Sequence, residues 1–309
     1  MPSFLFKNSP HRTVVGGSAS GQPADSPDLR LDLEGAASPF NFVGALEIFG
    51  GNQIFYGSGS AISPNWVLTA AHNLDFDDDG QADNGLSVVF HLPGFSSYTA
   101  TSSFLHPDFG GFSNPNLNDD LALLYFASPL PEALYFPSFT NLEVGDIGTM
   151  AGFGRSGYGD VGYTTAVSVT QRRFGQNAID VLLPDDEGSG RDELFEYDFD
   201  DAATTGLDGG SLGNETESII GPGDSGGPLL LRREDGFALA GVNTHLYGGQ
   251  GRFGEEAGGV RIAPYLDWVA QTTGLPLIPE PAAAALLTGA MALLALLVRR
   301  APRGQDRFR

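Results

Sequence analysis

Apolar residues in this chain fall in short runs, many alternating with small or polar residues, and glycine, proline and acidic stretches cut them apart. The runs Phe42-Val43-Gly44-Ala45-Leu46-Glu47-Ile48, Leu86-Ser87-Val88-Val89-Phe90 and Ala238-Leu239-Ala240-Gly241-Val242 predict strands. So do Trp66-Val67-Leu68-Thr69-Ala70-Ala71, which ends on His72, and Ala122-Leu123-Leu124, which follows Asp119-Asp120. A helical pattern is confined to residues 262–273, with Leu266, Trp268 and Val269 apolar and Gly274 and Pro276 as the stop. With 43 Gly, 20 Pro and 22 Phe in 309 residues, the chain reads as many short strands joined by turns, an all-β class.

Chemistry concentrates in three places. Gly223-Asp224-Ser225-Gly226-Gly227-Pro228 has glycines on both sides of a serine, which permits a bend tight enough to expose Oγ and to aim backbone N–H groups at a developing oxyanion. His72 ends an apolar strand that would deliver an imidazole to a rim. Asp120 stands immediately before another such strand. A base, an orienting acid and a nucleophile therefore follow one another as His, Asp, Ser.

Thr69-Ala70-Ala71-His72, then Asp120-Leu121-Ala122-Leu123-Leu124, then the serine hexapeptide resemble the trypsin/chymotrypsin family of serine peptidases over about residues 40–273, and this chain order is diagnostic among proteins with such a triad. The resemblance implies two antiparallel Greek-key β-barrels packed face to face with a short C-terminal helix, and a separate apolar tail helix is expected beyond them. The expected organisation is an N-terminal segment with a possible activation region (residues 1–39), a peptidase domain (40–275, barrels at about 40–140 and 141–275) and a tail (276–309). It implies His72 as general base and then acid, Asp120 as its orienter and Ser225 as nucleophile. The N–H groups of Gly223 and Ser225 would form the oxyanion hole. Ile219, six residues before the serine, would sit at the pocket base, with Thr244, His245 and Leu246 on the substrate-pairing strand and Gly259 on a wall. A non-acidic pocket base argues against cleavage after Lys or Arg; a neutral or apolar P1 residue is preferred, and an acidic one attracted by His245 stays open. Val14-Val15-Gly16-Gly17 resembles the activation junction, whose new amine would pair with Asp224; Arg12 lies two residues before Val14, and an ordinary linker is the alternative. The function implied is a serine endopeptidase with a protein or peptide substrate. The other class in play is an anchored, β-rich binding or matrix protein on a peptidase frame without turnover.

The chain has no cysteine, and Gly57 and Asn73 stand where the family's bridge beside the histidine is expected. Order must come from elsewhere. Asp75, Asp77, Asp79, Gln81 and Asp83 alternate around Gly80 and resemble the first nine positions of a calcium loop, although position twelve is Leu86. A structural Ca²⁺ is expected there, with a solvated acidic loop as the alternative; no cofactor is expected for catalysis. A second tract, residues 185–201, holds nine carboxylates and reads as a solvated loop or a second cation site.

A net charge of −22 and a pI of about 4.3 argue against nucleic acid and anionic lipid as partners. His11, His91, His106 and His245 lack the spacing of a zinc peptidase, and His106-Pro107 reads as structural. Pro279-Glu280-Pro281, seventeen uncharged residues at 282–298, and then Arg299-Arg300 resemble a PEP-CTERM sorting tail of Gram-negative bacteria. Such a tail implies export to the cell envelope, outer surface or medium, membrane contact through residues 282–298 before processing, and a sorting enzyme as partner. The alternative is a buried C-terminal helix, which such a uniformly apolar segment fits poorly. Residues 1–7 show no apolar core or cleavage site, so the expected export signal lies upstream of Met1.

Overall fold

Antiparallel pairing of short strands builds nearly all of the chain, as the punctuated apolar pattern predicts. The computed structural model describes residues 15–276 except 113–116, 202–206, 208–209 and 235. Strand β1 (Val15–Gly16) is followed by a seven-stranded sheet of β2 (Val43–Gly50), β3 (Gln53–Ser63), β4 (Trp66–Thr69), β5 (Ser87–His91), β6 (Ser97–Thr99), β7 (Ser102–Leu105) and β8 (Ala122–Tyr125). Their order across the sheet is β6-β5-β2-β3-β4-β8-β7, antiparallel throughout. The eight-stranded sheet holds β9 (Ser138–Phe139), β10 (Ile147–Gly152), β13 (Arg173–Ala178), β14 (Val181–Pro184), β15 (Asp192–Asp198), β16 (Pro228–Arg233), β17 (Gly236–Leu246) and β18 (Glu256–Arg261). Between them in sequence, β11 (Ser156–Tyr158) pairs with β12 (Gly162–Thr165) and, in parallel, with β1.

Burial along the β2–β3 hairpin shows how the sheets meet. Its tip is largely solvated, whereas residues 57–63 of β3 are buried throughout. One apolar cluster accounts for this: Leu46, Leu68 and Leu123 of the first sheet join Leu230, Leu239 and Val260 of the second. Each such side chain contributes about 1.5–3 kcal/mol by leaving water. A second cluster, with Met150, Phe195, Ile219, Leu229 and Val15, fills the interior of the second sheet.

The expected helix over 262–273 is shorter. Tyr265 N–H bonds the Ile262 carbonyl, so Ala263–Tyr265 forms a 3-10 turn, and α1 spans Leu266–Thr273. Gly274 closes it in the left-handed conformation, donating to the Ala270 carbonyl at 2.9 Å. The tail from residue 277 onward lies outside the described residues, and no helix among the described residues is long and apolar enough to cross a membrane.

Residues 15–39 are packed onto the second sheet by buried guanidinium groups. Arg30 is fully buried and bonds Asp25 through both Nε (2.9 Å) and Nη2, while Nη1 donates to Ser218 Oγ (2.5 Å) and the Thr216 carbonyl (3.2 Å). Arg172 donates from Nε to Asp32 Oδ2 at 2.8 Å and from Nη1 to the Val43 carbonyl at 2.9 Å. Removing one partner of a buried pair leaves the other charge uncompensated, so Arg172→Ala is expected to lower unfolding free energy by about 3–5 kcal/mol in urea titrations. A loss below about 1 kcal/mol would mean that the pair behaves as a solvated surface contact.

Candidate active site

Register brings the first two chemical groups together. Strands β4 and β8 are antiparallel with Thr69 opposite Ala122, so the residues after Thr69 and before Ala122 emerge at the same end. There a 3-10 turn, Ala71–Leu74, carries His72. Its Nδ1 lies 2.6 Å from Asp120 Oδ2, and its backbone N–H donates to Asp120 Oδ1 at 2.9 Å. Asp120 is buried and the imidazole partly exposed. Two bonds to one carboxylate fix both the ring and the turn that bears it.

Asp119, the adjacent acid, faces elsewhere. Its backbone is left-handed, with φ at 63°, and its carboxylate lies 3.0 Å from His106 Nδ1. Asp119 N–H donates to Tyr265 Oη, which donates to Glu193 Oε2 at 2.8 Å. Burial, then Asp119 and Glu193, push the Tyr265 phenol well above its ordinary range. His106 thus belongs to a network joining the turn before β8 to the 3-10 turn ahead of α1 and to β15.

The serine loop is bent by Gly223 (φ 98°) and Gly226 (φ 85°), and a Cβ at Gly226 would stand 2.0 Å from Thr69 Oγ1. That close approach presses the loop onto the first sheet. The Ser225 carbonyl accepts from Ser58 N–H at 2.8 Å and from Asn73 Nδ2 at 2.9 Å. Ser58 Oγ donates to the Gly223 carbonyl at 2.9 Å. Ser225, in the second sheet's half of the chain, is therefore bound to the residue next to His72. Sequence reasoning marked Asn73 only as a position where a cysteine is expected, and missed Ser58 and Phe112, the latter with its ring centroid 4.5 Å from that of His72.

Asp224 is buried, and its two oxygens accept from Gly154 N–H and Gly221 N–H, each at 2.8 Å. Val15 N–H donates to the Ile219 carbonyl at 3.1 Å; Val14 lies outside the described residues. Ile219 is buried in the second apolar cluster. Thr244 is the bulged residue between the pairs Asn243–Gly259 and His245–Gly258, and its Oγ1 is 3.0 Å from His245 Nδ1. His245 Nε2 lies 3.7 Å from Glu196 Oε1, and His245 and Tyr247 together hold the Glu196 carboxyl below its usual range. Gly259 permits strand contact, since a Cβ there would meet the Val242 carbonyl at 1.9 Å. Leu246 is half-buried at the end of β17.

In the acidic loop, oxygens of Asp75, Asp77 and Asp83 lie within 4.8 Å of one another. Asp75 is buried and accepts from the N–H groups of Asp79 (3.0 Å) and Gly80 (2.8 Å). Desolvation and the neighbouring Asp79, Asp83 and Asp75 raise the Asp77 carboxyl above its ordinary value. Asp79 instead accepts from Gln81 N–H at 2.9 Å. A depression of about 450 Å³ beside this loop is lined by Phe55, Phe76, Asp77 and Gln81 among others.

The family model described as Trypsin matches residues 34–269. An ovochymase of Halocynthia roretzi is 27% identical over an alignment of 244 residues that covers 71% of this chain and 13% of that protein, so the chain spans a small part of that relative's length. The solved structure of HL collagenase aligns with a TM-score of 0.53 at 22% identity, over 76% of this chain and 94% of that one, a likeness of fold.

Burial pushes the Asp224 carboxyl up to about 7, against the pull of the Gly221 and Gly154 amides and of Arg173. The folded chain therefore binds this proton more tightly than the unfolded one does. The stability it lends is fully present below 3.8, the ordinary value, and is lost as pH rises through about 7. Glu217, which burial also pushes up to about 7, titrates alongside it. Urea midpoints of the uncleaved chain are expected to fall across this window, and to fall less in Asp224→Asn. Parallel curves for the two proteins would show that Asp224 does not titrate there.

Proposed function

This chain belongs to the trypsin family, and from that membership we propose that it is a secreted serine endopeptidase acting through His72, Asp120 and Ser225. The observation that supports this most is the pair of bonds from His72 to Asp120 combined with the docking of the Ser225 peptide on the same turn. In this reading His72 Nε2 takes the Ser225 Oγ proton as Oγ attacks the scissile carbonyl, while Asp120 holds Nδ1–H and stabilises the imidazolium. The N–H groups of Gly223 and Ser225 receive the oxyanion. The protonated imidazole then hands its proton to the departing amine, leaving an acyl-enzyme. Water, deprotonated by the same imidazole, cleaves the ester, and Ser225 recovers its proton.

The two large sheets are read as two Greek-key barrels with the cleft between them. Cleavage ahead of Val14 would release an amine for Asp224, a buried carboxylate with an amide on each oxygen. The pocket reading, with Ile219 at its base, favours a neutral or apolar P1 side chain. Glu196, 3.7 Å from His245, already answers any positive charge on that imidazole, which weighs against an acidic P1. Residues 276–309 are read as a sorting tail that contacts the membrane through 282–298 before a sorting enzyme acts on it, in an exported protein of the cell envelope.

For the acidic loop we propose a structural Ca²⁺. The donors are hard oxygens on a closed loop, and three carboxylates converge there, as such an ion requires. Asp75, Asp77 and Asp83 would hold it, with Asp79 and Gln81 close by, and the ion would supply order to the loop that follows His72.

Two measurements test these proposals. A fluorophosphonate is expected to label the wild type and not Ser225→Ala, while His72→Ala or Asp120→Asn slows reaction by on the order of 10⁴-fold. Absence of labelling in correctly processed, calcium-loaded protein would favour the non-catalytic binding frame. A chelator is expected to lower the melting temperature at matched ionic strength, and identical melting with and without calcium would remove the ion.

A further inference from the structure

The chain's lack of cysteine draws attention to what occupies the Gly57–Asn73 contact. Asn73 is buried, and its side chain lies flat against Gly57, where a Cβ would come within 2.7 Å of Nδ2. The space is filled by an amide instead of a covalent link. Thr69 Oγ1 donates to the Ser58 carbonyl at 2.8 Å, so it turns a lone pair toward Asn73 Nδ2, 3.1 Å away. The other acceptor in reach of Nδ2 is the Ser225 carbonyl at 2.9 Å. With acceptors on both sides, only the nitrogen satisfies the site, which fixes the amide's orientation.

Asn73 and His72 are consecutive residues of one 3-10 turn. One turn therefore carries the imidazole on one residue and grips the serine's own peptide with the next. We propose that Asn73 is a positioning residue, whose amide sets the distance between Ser225 Oγ and His72 in place of a covalent cross-link. The inference rests on the serine-hydrolase reading above. Ser58 N–H shares the same carbonyl at 2.8 Å, so loss of Asn73 leaves the loop attached but free to shift. Misplacements of about 1 Å between reacting groups can cost on the order of 10²-fold in rate.

The test is the second-order rate of fluorophosphonate labelling per folded molecule, measured well below each variant's melting temperature. Asn73→Ala is expected to react about tenfold slower than wild type, the effect of one lost hydrogen bond on the barrier. Asn73→Asp adds a readout that simple destabilisation does not move. Its neutral carboxyl can donate to the Ser225 carbonyl and its ionised form cannot; burial beside two oxygen acceptors raises such a carboxyl above its ordinary value of about 3.9, so the variant-to-wild-type rate ratio is expected to fall as pH rises from about 5 to about 8. A rate within about twofold of wild type for folded Asn73→Ala, or a flat ratio for Asn73→Asp, overturns the proposal. If Asn73→Ala does not fold, Asn73→Ser, too short to reach the carbonyl, takes its place. An unlabelled wild type would instead sink the hydrolase reading, whereas a labelled wild type with unaffected variants sinks this inference alone.

Discussion

The pairing of β4 with β8 is the constraint on which the site depends. Because Thr69 faces Ala122 in an antiparallel ladder, the chain leaves β4 and enters β8 at one end, and His72 meets Asp120 there. A slip of one residue would turn every side chain of the strand to the opposite face and separate the two groups. The serine loop is then measured from the same strands: it rests on Thr69, Ser58 and Asn73 although it belongs to the second sheet. His72, Asp120 and the Ser225 peptide thus share one frame of reference in the first sheet.

The approach to the serine is held just as closely from the N-terminal side. Arg30 bonds Thr216, Glu217 and Ser218, and Val15 bonds Ile219. Successive residues ahead of Ser225 are therefore tied to chain that lies far away in sequence. This ordering depends on a segment, residues 15–39, whose Ser-, Asp- and Pro-rich composition resembles a linker. Apart from Val15 in the second apolar cluster, the contacts named here are polar and buried, so hydrophobic patterning does not reveal them.

What was legible in the sequence follows the same division. Chemistry restricts residue type at the proposed His72, Asp120 and Ser225, and motif and order named all three; the structure joins His72 to Asp120 and docks the Ser225 peptide on the turn that bears His72. The choice between Asp119 and Asp120 was readable because one directly precedes the apolar run; the structure turns Asp119 toward His106 and Asp120 toward His72. Helix length was not readable, because the turn at Ala263–Tyr265 satisfies the same apolar spacing with 3-10 bonds. The contacts of Asn73, Ser58 and Phe112 were invisible for a different reason. Their partners are set by how two sheets and a loop dock, and no local pattern encodes a contact across 152 residues such as Asn73 to Ser225.

The chain holds 38 acidic and only 16 basic residues, yet Arg30, Arg172, Arg173 and Arg261 are all buried. Desolvation lowers the proton affinity of the last three, and this cost is accepted because a planar guanidinium can bond several acceptors at once. Arg172 joins Asp32 to the Val43 carbonyl, and Arg261 joins Asn141 to the Leu142 carbonyl. Lysine, a point charge on a flexible stem, could not span these groups in a fixed geometry. Disulfides join distant segments by restricting the unfolded chain, whereas these forks act by satisfying backbone carbonyls in the folded one. A cysteine-free member of the family thereby gains order that is independent of redox conditions, from buried cations that bind buried carboxylates such as Asp25 and backbone carbonyls together.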